Sequence, residues 1–339
     1  MAGQVTIADL AGRLGISKAS VSYALNGQPG VSSETRERVN RLALELGWYP
    51  SSSARALARA KTGAIGLVLS RDPELLGTEP YYLQFISGIE QVLIEAETAL
   101  LLRLVRPSPG LDLAVYERWA GERRVDGVIL VDQLVDDPRF PLVRRLGLPA
   151  VLHGGPVPGD AMPWVAGDDV VDATRLVDHL RELGHRRIAH VTGPQTYTHE
   201  QQRKQRVRVR ALEVGLSVES VEGDYTLESA HRLTIRLLRA PAPPTAILFG
   251  NDLMAFGGLD AALELGIGVP TGVTLVSWDD SILCQVARPG LTAMDRHPRE
   301  LGARSAAVLL EEIAGQGPGN AIVGPGTLVV RGTSGPAPR

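Results

Sequence analysis

TIADLAGRLGISKASVSYALN, Thr6 to Asn26, reads as two short helices joined by a turn. Thr6 and Asp9 stand at capping-box spacing, each side chain placed to satisfy a backbone N–H that the first helical turn leaves unpaired. Ile7, Leu10, Ala11 and Leu14 follow at i, i+3, i+4 and i+7, one apolar stripe that Gly15 ends. Ser17 can cap a second helix, with Ile16 just before it placed to staple onto Val21. Val21 and Leu25 then face inward. Lys18, Ala19, Ser22 and Tyr23 are left on the outer face, the placement of residues that enter a DNA major groove in a helix-turn-helix. A helical hairpin with a solvated polar face fits the same pattern.

A third helix adds to the DNA reading. Ser32 or Ser33 can cap it, and Val39, Leu42, Ala43 and Leu46 recur on it at helical spacing up to Gly47, so three short helices share one small core. The next stretch, WYPSSSARALARAKTG from Trp48 to Gly63, holds one large apolar residue after Pro50, Leu57. Such a helix has almost nothing to bury alone and is expected to fray until a partner supplies contacts.

This run resembles the head of the LacI/GalR family of bacterial transcriptional repressors. The matching elements are the T-I-x-D-L-A opening, S-x-x-S-V-S-x-x-L-N from Ser17 to Asn26, V-S-x-x-T-R-x-R-V from Val31 to Val39, and Y-P-x-x-x-A-R-x-L from Tyr49 to Leu57. The resemblance implies that Lys18, Ala19 and Tyr23 occupy base-reading positions. It implies further DNA contacts at Thr6, Ser17, Ser22, Asn26, Ser32, Tyr49 and Ala54, and makes Leu57 the hinge leucine that wedges into the minor groove. Ser51 departs from the asparagine often found after the hinge proline.

With 339 residues the chain is long enough for two or three domains and a sizeable core. Its single cysteine, Cys284, excludes an intramolecular disulfide and a Cys-rich zinc site. No basic-then-apolar signal region opens it and no apolar run approaches the ~18 residues of a membrane span, so a cytoplasmic protein with no membrane partner is expected. The net charge of −3 splits sharply: residues 1–62 hold eight Lys/Arg and four acids, a charge of +4, which leaves −7 for the rest. A basic head on an acidic body concentrates phosphate attraction in one place.

From Ala64 onward short apolar runs alternate with longer helical patterns, the signature of β-α units around parallel sheets. Strands are expected at Ala64 to Leu69, Ala99 to Val105, Asp126 to Val131 and Ala150 to His153, then at Arg187 to Gly193, Val218 to Gly223, Thr245 to Gly250 and Val273 to Trp278. Two such series make two subdomains, with the break near Met162 to Gly167 and the helix from Pro298 to Ala314 returning to the first. The expected fold class is therefore a small all-α head plus an α/β body of two doubly wound parallel-sheet subdomains, which is the periplasmic-binding-protein-like body of the same family. Residues 1–50 form the head and 51–62 the hinge. Residues 63–332 form the effector-binding and dimerisation body, with one subdomain at about 63–163 and 295–322 and the other at about 164–294 and 323–332; 333–339 are expected to be a disordered tail.

Ligands of open α/β sheets bind beyond the C-terminal strand ends. Tyr81 and Tyr82 follow the first strand, Tyr225 the Val218 run, Asn251 and Asp252 the Thr245 run, and Asp279 and Asp280 the Val273 run. Aromatic faces together with amide and carboxylate groups suit a sugar or nucleoside cleft. The resemblance places the effector contacts at Tyr81, Arg203, Tyr225, Asn251, Asp279 and Arg296, and Tyr82 joins them by its strand-end position. Asn251 and Asp279 are equally placed to cap the helices that follow. Arg296 stands where a glutamine is frequent, which points either to an acidic or phosphorylated effector or to a pair with Asp295 or Asp279. Gly154 and Gly155 replace a pair that often carries charge, and Arg206 falls where relatives tend to have glycine.

No nucleophile elbow, P-loop, dinucleotide fingerprint or H-E-x-x-H motif is present, so no catalytic residue, cofactor or metal is expected. His185, just past Gly184, is expected to meet a helix C-terminus, and His190 to be a satisfied core residue. The function implied is a ligand-responsive, sequence-specific DNA-binding regulator. Its partners are operator DNA, a small-molecule effector that is a sugar or sugar derivative, and a second copy of the chain, since no leucine heptads follow the final strand to bundle four. A solute-binding protein for transport would fit the body alone, but it predicts a signal peptide and no helical head.

Overall fold

The computed structural model describes residues 5–48, 61–71, 79–108, 110–157, 159, 161–317 and 319–338. The chain divides after Thr62 into two compact units. The first contains α1 (Ile7–Leu14), α2 (Lys18–Leu25) and α3 (Ser33–Glu45). Each begins at a side chain that closes an orphan N–H. Thr6 Oγ1 accepts from the Asp9 N–H at 3.3 Å while the Asp9 carboxylate accepts from the Thr6 N–H at 2.8 Å. Ser17 Oγ and Ser32 Oγ accept from the N–H groups of Ser20 and Thr35 at 3.0 and 3.2 Å. Gly15 ends α1 in the left-handed region, φ 66°, where a side chain would be strained. Leu10, Val21, Ala24, Val39 and Ala43 form the buried centre, with Ile7, Leu14, Ile16, Leu25, Leu42, Leu46 and Trp48 packed around it. The expected DNA contacts Tyr49, Ala54 and Leu57 lie outside the described residues.

The second unit holds two six-stranded sheets. β1 (Ala64–Ser70), β2 (Ala99–Val105), β3 (Gly127–Leu130), β4 (Ala150–His153), β5 (Trp164–Ala166) and β11 (Ala321–Ile322) form the first, in the order β11-β5-β4-β3-β1-β2. β6 (Arg187–Thr192), β7 (Ser217–Glu222), β8 (Ala246–Phe249), β9 (Thr274–Ser277), β10 (Thr292–Asp295) and β12 (Thr327–Val329) form the second, in the order β12-β10-β9-β8-β6-β7. All pairs are parallel except β10 with β12. Central strands such as β3, β8 and β9 are buried along their whole length, which is why they read as continuous apolar runs rather than alternating ones. The helices α4 (Pro80–Glu95), α5 (Leu111–Gly121), α6 (Arg139–Arg145) and α12 (Pro298–Ile313) belong with the first sheet. α7 (Asp169–Glu182), α8 (Thr198–Glu213), α9 (Leu227–Leu238), α10 (Asp252–Glu264) and α11 (Ile282–Val286) belong with the second.

The chain passes between the sheets after β5, after β10 and again between β11 and β12. α12, the returning helix, crosses α4 with backbones nearly touching: a Cβ at Gly302 would collide with the Phe85 carbonyl, and one at Gly88 with the Arg299 carbonyl. Two expectations are corrected. The subdomain boundaries shift, because Trp164 pairs with Leu152 in the first sheet and Asp295 with Thr327 in the second. Residues 333–338, expected to be a disordered tail, are ordered. Thr333 is fully buried; its Oγ1 donates to the Leu275 carbonyl at 2.7 Å and accepts from the Thr292 N–H at 2.8 Å, while the Ala337 N–H donates to the Leu183 carbonyl at 2.9 Å. Polar residues hold this tail through hydrogen bonds, so its low hydrophobicity did not mean disorder. Among the described residues no helix is long and apolar enough to cross a membrane.

Candidate functional site

Between the two sheets of the body lies a cavity of about 290 Å³ lined from both sides. From the first sheet come Arg71 after β1, Tyr81 and Tyr82 in the first turn of α4, Asp132 and Gln133 after β3, and His153 with Gly154 and Gly155 at the end of β4. From the second come Asp169 at the start of α7, His199, Gln202, Arg203 and Arg206 on α8, Tyr225 after β7, Asn251 after β8 and Asp279 after β9. Arg296 enters from the crossing that follows β10. These are C-terminal strand ends and helix starts, where parallel sheets converge their loops.

Three of the four arginines on these walls, Arg71, Arg203 and Arg296, are paired with carboxylates. Arg296 Nε donates to Asp279 Oδ1 at 2.8 Å, its second nitrogen donates to the same oxygen, and the guanidinium lies 4.7 Å over the Tyr81 ring. Tyr81 Oη is 2.9 Å from His153 Nε2. Burial pushes the Tyr81 hydroxyl up to about 12 and the His153 imidazole down to about 4, so both are neutral at pH 7. Arg203 Nε donates to Asp169 Oδ2 at 3.0 Å and Nη1 to Glu200 Oε1 at 3.4 Å, with the guanidinium 5.0 Å over the Trp278 ring. Burial raises Asp169, yet Arg203 and Arg296 beside it hold the carboxyl below its usual range. Arg71 pairs with Glu79 at 3.0 Å and Asp132 at 2.8 Å, and Tyr82 Oη donates to Asp132 Oδ1 at 2.7 Å. Tyr225, held at φ 69°, donates to Glu200 Oε1 at 2.9 Å and meets His199 Nε2 at 2.9 Å.

The seven residues expected at an effector site, Tyr81, Tyr82, Arg203, Tyr225, Asn251, Asp279 and Arg296, all line this one cavity. Asn251 also caps α10, accepting from the Met254 N–H at 2.8 Å. Arg296 pairs with Asp279 rather than Asp295. Strand-end reasoning passed over Arg71, Asp132 and His153, although each follows or ends an apolar run and the same rule would have found them. Asp169 and His199 carried no such signal, because they sit on first turns of helices. His185 meets its helix end as expected, its backbone N–H donating to the Leu180 carbonyl at 3.2 Å, while its buried imidazole bonds to Thr245 Oγ1 at 2.9 Å and the Gly335 carbonyl at 3.2 Å. His190 is in the core as expected but is not satisfied: it stacks on Trp278, and neither ring nitrogen has a partner among the described residues.

In the head, Lys18, Ala19 and Tyr23 are exposed along the outer face of α2, Tyr23 to 43%. Ser22 and Asn26 are half-buried at the end of that helix, where Asn26 Nδ2 donates to the Ser22 carbonyl at 2.9 Å. Thr6, Ser17 and Ser32 are the three caps.

A three-helix unit with an exposed second helix, carried on the same chain as a two-sheet ligand cavity, defines a helix-turn-helix regulator with a small-molecule-binding body. The family model described as "Bacterial regulatory proteins, lacI family" matches residues 6–51, and one described as "Periplasmic binding protein-like domain" matches residues 177–334. The HTH-type transcriptional regulator AglR of Rhizobium meliloti is 33% identical over 98% of this chain and 95% of its own. The crystal structure of the lac repressor dimer bound to operator and the anti-inducer ONPF superposes with a TM-score of 0.87 at 26% identity, covering 98% of this chain and 99% of that one. A structure of the transcriptional regulator CelR in complex with cellobiose does so at 0.74 with 30% identity, over 97% and 100% of the two chains. The chain belongs to the LacI family of bacterial regulators. It is a ligand-responsive DNA-binding transcriptional regulator and not an enzyme.

Proposed function

We propose that this protein acts in the cytoplasm as a homodimeric repressor of carbohydrate uptake or catabolism genes, each head reading one half of a pseudo-palindromic operator, and that a sugar in the cleft alters operator binding. The observation that carries the sugar assignment is the charge balance of the cleft: Arg296, Arg203 and Arg71 are each already matched by carboxylates. A charged ligand gains little from groups that neutralise one another. Hydroxyl groups, by contrast, can insert beside such pairs as donors and acceptors while Tyr81, Tyr82 and Tyr225 cover ring faces. The pairing of Arg296 with Asp279 removes the reason to assign it an acidic effector. CelR, whose structure holds cellobiose, supports the same ligand class.

Dimerisation is supported by large apolar side chains left exposed on the body: Leu83 and Ile94 on α4, Leu102 on β2, and Ile282 with Val286 one turn apart on α11. A ligand touching both walls shifts the equilibrium between cleft arrangements by its differential affinity for them, and the paired heads register that shift at the operator. Sedimentation together with fluorescence anisotropy on a selected operator tests the reading. A dimer is expected whose operator affinity changes when glucose- or galactose-containing sugars are added. A monomer that binds one half-site at full affinity, or an operator affinity indifferent to every sugar, overturns it.

A further inference from the structure

α8 turns one stripe of side chains into the cavity: His199, Gln202, Arg203 and Arg206, at i, i+3, i+4 and i+7. Two of them are committed, His199 to Tyr225 and Arg203 to Asp169 and Glu200. Gln202 and Arg206 are not. Among the described residues neither side chain makes a hydrogen bond or ion pair, and Arg206 Nε is shielded from solvent without an acceptor. From the first wall Gly154 and Gly155 also line the cavity and bring no side chain; a Cβ added at Gly155 would come within 4.0 Å of Gln202 Oε1, so this loop lies next to Gln202. Free donors on α8, beside a stretch of wall that carries no side chain, offer a polar part of a ligand its hydrogen-bond partners. The Arg206 guanidinium, which lines the cavity without a carboxylate partner among the described residues, is free to donate from its terminal nitrogens to an acceptor on such a ligand.

We propose that Gln202, Arg206 and the Gly154–Gly155 loop form a second sugar subsite, beside the one around Tyr81 and Asp279, so that the effector is a disaccharide or longer saccharide and Arg206 determines that specificity. This rests on the sugar reading above. An anionic substituent is the competing occupant for an unpaired arginine. The cavity disfavours it, because six acids line the walls (Glu79, Asp132, Asp168, Asp169, Asp252 and Asp279) against four arginines. Gln202 also offers both a donor and an acceptor, which matches a hydroxyl better than a carboxylate or phosphate. A ring or glycosidic oxygen accepts from Arg206 without approaching the acids as an anion would.

Calorimetric titration of the full-length protein with glucose, galactose, a set of α- and β-linked glucose and galactose disaccharides, and glucose 6-phosphate tests this. One disaccharide is expected to bind at least about tenfold more tightly than either monosaccharide. Arg206→Ala is expected to remove roughly tenfold to hundredfold of that affinity, the scale of a hydrogen bond to a charged donor, while leaving monosaccharide binding unchanged. Gln202→Ala shows a smaller loss in the same direction. Because neither side chain has a partner to lose, both variants should melt like the parent, which separates subsite loss from misfolding. Tightest binding by glucose 6-phosphate, no disaccharide exceeding its monosaccharides, or an equal loss for rings of every size in Arg206→Ala overturns the second subsite while leaving the sugar reading intact. Failure of every sugar to bind overturns the sugar reading itself, and the subsite with it.

Discussion

Asp279 and Arg296 show how one pair serves both fold and response. Both side chains are nearly shielded, and Asp279 is the only carboxylate bonded to Arg296 among the described residues. Asp279→Ala therefore leaves a buried guanidinium without its counter-charge, a loss worth about 3 kcal/mol at the low end of the range for breaking buried pairs. The expected outcome is a lower urea midpoint for the body, no response to effector, and unchanged operator affinity of the ligand-free protein. A variant that answered the effector like the parent would reduce Asp279 to a structural partner of Arg296. In the head, Lys18 and Tyr23 are exposed and free of structural duty, unlike the caps Thr6, Ser17 and Ser32. Substituting either should alter the preferred half-site base by about 1 to 3 kcal/mol per lost contact. Selection from random DNA reads this directly, and an unchanged motif for both would assign them to phosphates instead.

Among the secondary-structure elements, the crossing of α4 and α12 is the tightest point of the first subdomain. Gly302→Ala drives a methyl into the Phe85 carbonyl, a backbone atom that no rotamer change can move. The two helices must separate, at a cost of about 1 to 3 kcal/mol or more. At Gly121, in the last turn of α5, an added methyl would meet nothing within 4 Å. The same substitution there should be neutral or stabilising by about 0.4 to 1 kcal/mol, because it only restricts the unfolded chain. Denaturant titration of the two variants side by side checks the contrast, and similar effects at both sites would mean that the helix crossing is looser than its geometry.

For the whole molecule, buried histidines set the response to acid. Burial holds His153 at about 4 and both His190 and His199 at about 3, against about 6.5 in an unfolded chain. The unfolded state therefore binds more protons below about pH 6.5, and the stability these groups contribute is lost as pH falls toward 4 and 3. Asp172 and Asp252 act in the opposite sense. Burial lifts both to about 6, so the folded state keeps protons that the unfolded chain releases between about 4 and 6. Burial also lowers His179 and His185 and raises Glu79 and Glu200, so five groups stand against four and Tm should fall from pH 7 to pH 5. His190→Phe, which keeps a ring against Trp278 and removes two unpartnered nitrogens, should make that fall shallower. Calorimetry at pH 7, 6 and 5 measures both, and a Tm that rises on acidification would contradict the assignment.

The sequence by itself determined whatever is written in short-range patterns. The caps at Thr6, Ser17 and Ser32 act over three residues, and the central strands announce themselves as apolar runs because both their faces are covered. It also placed seven cleft residues, Tyr81, Tyr82, Tyr225, Asn251 and Asp279 by their strand-end positions and Arg203 and Arg296 by the resemblance to the LacI family. The short strands β5 and β11 were beyond it: three and two residues carry no periodicity, and pairing with neighbours distant in the chain makes them strands. The ordered tail escaped for the same reason, since Thr333 gains its partners from β9 and β10. Most of all, no local pattern says which arginine is neutralised. Arg296 is matched by Asp279, seventeen residues earlier in the chain, and Arg203 by Asp169, thirty-four residues earlier, while Arg206, one turn from Arg203, has no carboxylate partner among the described residues. Ion pairing depends on separations of a few ångströms between loops from different strands, and only the tertiary packing of the two sheets decides those.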